Sequence, residues 1–160
     1  MKVDERSFRK ALGCFATGVT VVTTADPDGR PVGVTVSAFS SLSLDPPLVL
    51  FCLDKRTTSL DAFRSGYFAI HVLKEDQRQL SIQFASRQQD KWNGIDHTTN
   101  ADGVPVLANC LARLECALHE MIEGGDHVIF VGRVTGLEHQ TGGQPLLYFR
   151  GAYANLTECF

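Results

Sequence analysis

Residues 4–16 place Phe8, Leu12 and Phe15 at helical intervals, with Arg6, Arg9 and Lys10 between them. That is the period of a helix with one apolar stripe, and it predicts an amphipathic helix that covers one side of the core and ends near Gly18. From Thr17 to Ala25 the chain is rich in Val and Thr. Asp26-Pro27-Asp28-Gly29 reads as a turn and Pro31 to Ser37 resumes in β-branched residues, so a hairpin is expected. The Ser-rich stretch 40–43 reads as a bend and Asp45-Pro46-Pro47 as a stop. Leu48 to Leu53 then reads as a strand buried on both faces, at the centre of a sheet.

Further on, Thr58-Ser59-Leu60-Asp61 has capping-box spacing and opens a short helix to about Arg64, and Gly66 to Leu73 reads as a strand. Gln77 to Ser86, carrying Leu80, Ile82, Phe84 and Ala85, returns to the helical period. Arg87 to Asn100 reads as a long exposed loop of the kind that often carries function. Leu111 to Ile122 and Asp126 to His139 flank Glu123-Gly124-Gly125 as a second hairpin. After the turn Thr141-Gly142-Gly143-Gln144 comes a last strand, Leu146 to Arg150. About six or seven strands joined by hairpins, with two or three inserted helices, predict a mainly β antiparallel barrel rather than a doubly wound parallel sheet.

A chain of 160 residues is expected to form one domain over 1–160. With 44% hydrophobic and 21% charged residues it has a globular composition, which disfavours disordered, collagen-like and coiled-coil classes. A net charge of −3 argues against a nucleic-acid partner held by a broad basic field. No apolar run approaches the roughly 20 residues of a membrane helix, and the charged start Met1 to Arg6 lacks a signal segment, so no membrane partner and a cytoplasmic location are expected. Five cysteines without a Cys-x-x-Cys pair suit a reducing compartment, and with five scattered histidines they suggest no metal site.

Gly-x-Gly-x-x-Gly, Gly-x-x-x-x-Gly-Lys-Ser/Thr and Gly-x-Ser-x-Gly are all absent, which removes the main support for dinucleotide, triphosphate and hydrolase folds. What remains is a hydroxyl-rich run, Thr35, Ser37, Ser40, Ser41 and Ser43, followed by Asp54-Lys55-Arg56-Thr57-Thr58-Ser59 at an expected helix start. Hydroxyls, helix-terminal N–H groups and two cations suit a phosphate monoester. Strand and capping preferences account for the same residues without a ligand. Gly124-Gly125-Asp126-His127 sets a titratable ring just after a hairpin turn, within reach of a ligand at a barrel mouth or simply on the surface. Tyr148-Phe149-Arg150-Gly151-Ala152-Tyr153 and the Lys91-Trp92 pair read more simply as packing and loop anchorage.

In sequence order, Phe15-Ala16-Thr17-Gly18-Val19-Thr20-Val21-Val22-Thr23, Gly33 to Val49, Phe84-Ala85, Gly103-Val104-Pro105-Val106-Leu107 and Gly125-Asp126-His127 through to Tyr153 resemble the short-chain flavin reductase family. Its members are the NAD(P)H:flavin oxidoreductase components of two-component monooxygenases. The resemblance implies an antiparallel Greek-key split β-barrel, the FMN-binding split barrel, working as a homodimer with a separate flavin-dependent monooxygenase. Hydride would pass from NADH or NADPH to FMN or FAD, a reaction in which the cofactor carries the chemistry and no side-chain nucleophile is needed. It also implies that Thr35, Val36, Ser37, Ala38, Ser40 and Ser41 line the flavin, largely through main-chain groups. Cys52, Leu53, Asp54, Thr57, Thr58 and Ser59 would meet its ribityl and phosphate end, and Phe84, Ala85 and Lys91 would close over the phosphate. Gly125, Asp126, His127 and Tyr153 would face the nicotinamide, with His127 assisting. Val36-Ser37 and Trp92 depart from the residues usual in the family. The competing reading is an electron-transfer protein that keeps its FMN permanently.

Overall fold

The computed structural model describes residues 3–88 and 90–157. Helix α1 spans Glu5–Leu12, where the Asp4 carboxylate accepts from the Arg6 and Ser7 N–H groups, and it stops at Gly13 rather than near Gly18. It covers no part of the core. Phe8, Leu12 and Phe15 are 53%, 58% and 77% exposed, because a helical period reports an apolar stripe without saying which surface receives it.

Twelve strands follow or flank a second helix, α2 (Arg78–Ala85): β1 (Thr17–Gly18), β2 (Thr20–Ala25), β3 (Pro31–Val36), β4 (Phe39–Leu44), β5 (Pro47–Asp54), β6 (Tyr67–Val72), β7 (His97–Thr99), β8 (Pro105–Leu107), β9 (Ala112–Gly124), β10 (His127–His139), β11 (Leu147–Phe149) and β12 (Ala152–Ala154). Seven of them form one antiparallel sheet in the order β3-β2-β6-β9-β10-β5-β4. The expected hairpins are present, β2 on β3 and β9 on β10.

The serines of 40–43 form edge strand β4 instead of a bend: pairing with β5, with an irregularity between Ser41 and Ser43, outweighs their weak strand preference. Strand β5 is second from the edge, not central, and alternates buried Val49, Phe51 and Leu53 with half-buried Leu48, Leu50 and Cys52. Residues Leu60–Ser65 form a 3₁₀ helix whose Ser59 makes no side-chain cap bond; burial of Leu60 and Phe63 holds this turn in place. The last expected strand shortens to β11, and a further strand, β12, pairs back on it across Arg150 and Gly151, both at positive φ, the geometry of a tight two-residue hairpin.

Strands β3 and β4 lie at opposite edges of the sheet yet are joined only by Ser37 and Ala38, a link that reaches at most about 11 Å from Val36 to Phe39. The sheet therefore curls enough to bring the end of β3 near the start of β4, with no ladder between them, and the Cys52 N–H on β5 donates to the Ala38 carbonyl of the link at 3.0 Å. Inside the curl lies the main core, with Val22, Val36, Phe68, Ile70 and the stacked pair Phe51–Phe130 at 5.1 Å. Each such side chain contributes roughly 1.5–3 kcal/mol by leaving water. A second layer fills the outer face of β2 and β6, where Val19, Val21 and Leu73 meet Phe84 from α2, Leu107 from β8, and Leu146. The stretch 87–100 is not wholly loop, since β7 within it pairs with β8.

Candidate functional site

A cleft of about 600 Å³ opens where the end of β5, the strand β3 and the C-terminus of α2 converge. Of the residues singled out from sequence, Thr35, Asp54, Thr57, Thr58, Phe84, Ala85 and Lys91 line it. Val34, Arg56, Ser86, Arg87 and Gln88 complete the wall. Arg56 belongs to a run recognisable as cationic and hydroxyl-rich. Arg87 and Gln88 carried no signal, because a polar stretch does not reveal which of its side chains turn inward.

Each wall is held by local bonds. At the mouth, the Arg56 guanidinium grips both oxygens of Asp54, with Nη2 at 2.6 Å from Oδ2 and Nε at 3.1 Å from Oδ1. These bonds hold the Asp54 carboxyl well below the usual carboxylate range. Thr35 donates from Oγ1 to the Ser81 carbonyl at 2.6 Å, tying β3 to α2. The segment after α2 is strapped back onto it. Gln83 Nε2 donates to the Lys91 and Asn93 carbonyls, each at 2.9 Å, and Lys91 Nζ donates to the Phe84 carbonyl at 2.9 Å. Partial burial lowers the Lys91 pKa. Gly33 permits this packing: a Cβ there would come within 2.4 Å of the Phe84 ring.

Across the ladder from Asp54 stands His127, at the start of β10. The Gly125-Asp126 turn before it is tethered by Lys55, whose N–H donates to the Asp126 carbonyl at 2.9 Å and whose ammonium donates to the Gly125 carbonyl at 2.8 Å and pairs with Glu123. His127 Nδ1 lies 2.8 Å from Asp126 Oδ1, an acceptor, so Nδ1 carries the proton and donates it, and Nε2 makes no hydrogen bond to the described residues. That hydrogen bond also lowers the Asp126 pKa. The ring is thus oriented beside the cleft, one strand over, without lining it.

The other expected residues lie elsewhere. Val36 and Leu53 point into the core, so only their main chain can face a ligand. Ser37, Ala38, Ser40 and Ser41 are exposed along the bend and edge strand, and half-buried Cys52 lies next to them through its bond to Ala38. Burial raises the Cys52 pKa. Ser59 lines not the cleft but an adjoining hollow of about 330 Å³ with Asp26 and Asp61, Thr58 standing between the two. Tyr153 does not line the cleft and packs on α2. Its hydroxyl pairs with Ser81 Oγ at 2.8 Å, and its ring lies under the Arg78 guanidinium.

Cations and hydroxyls around a cleft, beside an oriented histidine, suit a ligand that carries a phosphate. The chain belongs to the flavin reductase-like family: the "Flavin reductase like domain" matches residues 12–157. It is 46% identical over 155 residues to the flavin-dependent monooxygenase reductase subunit HsaB of Rhodococcus jostii, covering 96% of this chain and 79% of that protein. It is 45% identical over 155 residues to the FMN reductase (NADH) SmoA of Agrobacterium fabrum, covering 96% and 87%. Among solved structures, the NADH:FAD oxidoreductase SgcE6 of Streptomyces globisporus, in complex with NAD and FAD fragments, superposes with a TM-score of 0.90 at 34% identity, over 98% of this chain and 97% of that one. Two Rhizobium meliloti relatives are longer, and the chain spans 48% and 65% of their lengths.

Proposed function

We propose that this chain is an NAD(P)H-dependent flavin reductase that passes a hydride from NADH or NADPH to FMN or FAD and supplies reduced flavin to a separate monooxygenase. The observation that carries the reading is the cleft in which Arg56, Arg87, Thr57 and Thr58 converge on a space suited to a phosphate, with His127 oriented next to Asp54. Reductase subunits and FMN reductases among its relatives support it. Arg56 and Arg87 would hold the flavin phosphate and Thr57 and Thr58 would donate to it, while Lys91 keeps the Phe84–Ala85 wall in place. Main-chain groups of the Ser37–Ala38 bend and of Ser40 and Ser41 would lie along the ring system. The bound flavin supplies the two-electron acceptor. His127 Nε2, held by the Asp126 bond at the opposite ring nitrogen, would accept from an N–H of the nicotinamide carboxamide and orient it.

We read the curled seven-stranded sheet as a split barrel forming one domain, with its edges brought together at residues 37–38. We also assign the exposed apolar stripe of α1 and the fully exposed Leu44 to a homodimer contact. The unpaired Cys14, Cys52, Cys110 and Cys116 suit the cytoplasm. No helix among the described residues is long and apolar enough to cross a membrane.

Anaerobic mixing of the protein with FMN and NADH or NADPH tests the reading by loss of the oxidised flavin absorbance. Wild type should bleach the flavin within seconds. R56A and R87A should weaken FMN by about tenfold or more while leaving riboflavin nearly unchanged, since only FMN has a phosphate to lose. A flavin that binds yet is not bleached by either nucleotide would instead identify an electron-transfer protein.

A further inference from the structure

His71 is fully buried on the outer face of β6, paired across the ladder with Val21, and takes no part in lining the cleft. Both of its ring nitrogens are engaged, and the partners fix the tautomer. Nδ1 lies 3.1 Å from the Val21 carbonyl, which can only accept, so Nδ1 carries the proton; Nε2 then accepts from the Leu107 N–H at 3.0 Å. This second bond leaves the main sheet and fastens β8. Thr23 of β2 adds a parallel tie, donating from Oγ1 to the Pro105 carbonyl at 2.6 Å, and Val104 and Val106 pack on Ala69 of β6.

From β8 an unbroken run of contacts reaches the cleft. Leu107 pairs with His97 of β7, and the His97 ring centroid lies 4.7 Å from that of Trp92. Trp92 meets the Phe84 ring edge-on at 4.9 Å. Among the described residues the buried Trp92 Nε1 has no hydrogen-bond partner, so the place of its indole is set by packing, with the His97 and Phe84 rings and the second core layer around it. Phe84 forms part of the cleft wall, and its carbonyl anchors the Lys91 ammonium.

We infer that His71 is a positioning residue for the cleft: by holding the Leu107 N–H it sets β8 and β7, and through the His97, Trp92 and Phe84 rings it sets the wall formed by Phe84, Ala85 and Lys91. The effect on flavin rests on the reading of that cleft given above; the mechanical coupling does not. Removing the bond to Leu107 leaves the arm formed by β7 and β8 tied by Thr23, by the Asn100 amide on Glu115, by Gln77 on the Ala108 carbonyl and by apolar contacts, so its rings shift against Trp92 while the arm stays attached.

The experiment measures FMN affinity and the emission of the chain's only tryptophan in four single variants and one double variant of the whole protein. His71→Asn can still donate to Val21 but cannot reach Leu107. His71→Gln places a carbonyl where Nε2 was and restores the bond to Leu107. His71→Leu loses both bonds, and His97→Ala breaks the chain of rings at an exposed position that leaves the core untouched. H71N, H71L and H97A should each weaken FMN about fivefold and shift the Trp92 emission of the ligand-free protein, with H71Q close to wild type. The H71N/H97A double variant should be no worse than either single one, because both cut the same link. Equal damage in H71Q and H71N, additive losses in the double variant, or an H97A protein with wild-type emission and affinity would each overturn the inference. If H71L fails to fold, H97A and the Asn/Gln pair still decide it. A wild type that takes no flavin would refute the cleft assignment, while the ligand-free emission of the variants would still judge the coupling.

Discussion

At the residue scale, two histidines do opposite work with the same ring. His127 has one nitrogen bound by Asp126 and the other, at a site edge, making no hydrogen bond to the described residues, whereas His71 has both nitrogens committed inside the protein. Burial, with Arg113 facing it across the β6–β9 ladder, lowers the His71 pKa from 6.5 to about 4. Between those values the unfolded chain binds more protons than the folded one, so stability falls as pH drops through this window and levels off below about 4. The loss from pH 7 to 4.5 should be about 2 kcal/mol from this ring. Urea midpoints at the two pH values will show that share of the drop in wild type, and H71Q should lack it. For His127, replacement by Ala should cut hydride transfer or raise the nicotinamide nucleotide KM by about tenfold, equivalent to about 1.4 kcal/mol. Stopped-flow rates equal to wild type would remove the residue from the site.

At the scale of elements, the segment after α2 shows how a polar stretch is made into a wall. Residues 86–88 and 90–93 own few apolar anchors, and their placement comes from Gln83, Lys91 and the Trp92–Phe84 contact. Gln83→Ala removes two hydrogen bonds to main-chain carbonyls, worth about 1–3 kcal/mol together. Because the bonds are local, the melting temperature should move by only a few degrees. Amide exchange over residues 86–88 and 90–93 should rise clearly, and FMN should bind several times more weakly. Unchanged exchange in that segment would show that the Lys91 bond to Phe84 and the Trp92 contact carry the strap without Gln83.

At the scale of the whole molecule, α1 is the informative misfit. A helix with Phe8 and Leu12 on one side, followed by Phe15, and no buried residue of its own leaves an apolar surface that a second copy would cover. Sedimentation of wild type should give a dimer, and Phe8→Ser with Leu12→Ser should shift it toward monomer without unfolding the sheet, which shares no core with this helix. A monomeric wild type at micromolar concentration would refute the assignment.

The sequence by itself determined the elements whose periodicity is dictated by their own neighbours: the β2–β3 and β9–β10 hairpins, α2, and the mainly β class. It also marked Thr35, Asp54, Thr57, Thr58, Phe84, Ala85 and Lys91, whose hydroxyls, charges and places in the family pattern could be read one residue at a time. Tertiary structure alone decided what depends on distant partners. The serines of β4 became a strand because β5 offered a ladder, and Ser59 came to line the adjoining hollow while Arg87 lined the cleft. His71 became the tie between core and cleft because Leu107, 36 residues away, presents it an N–H. Local pattern encodes which face of an element is apolar, but the energy that chooses its neighbour comes from contacts between residues far apart in the chain, which no local period records.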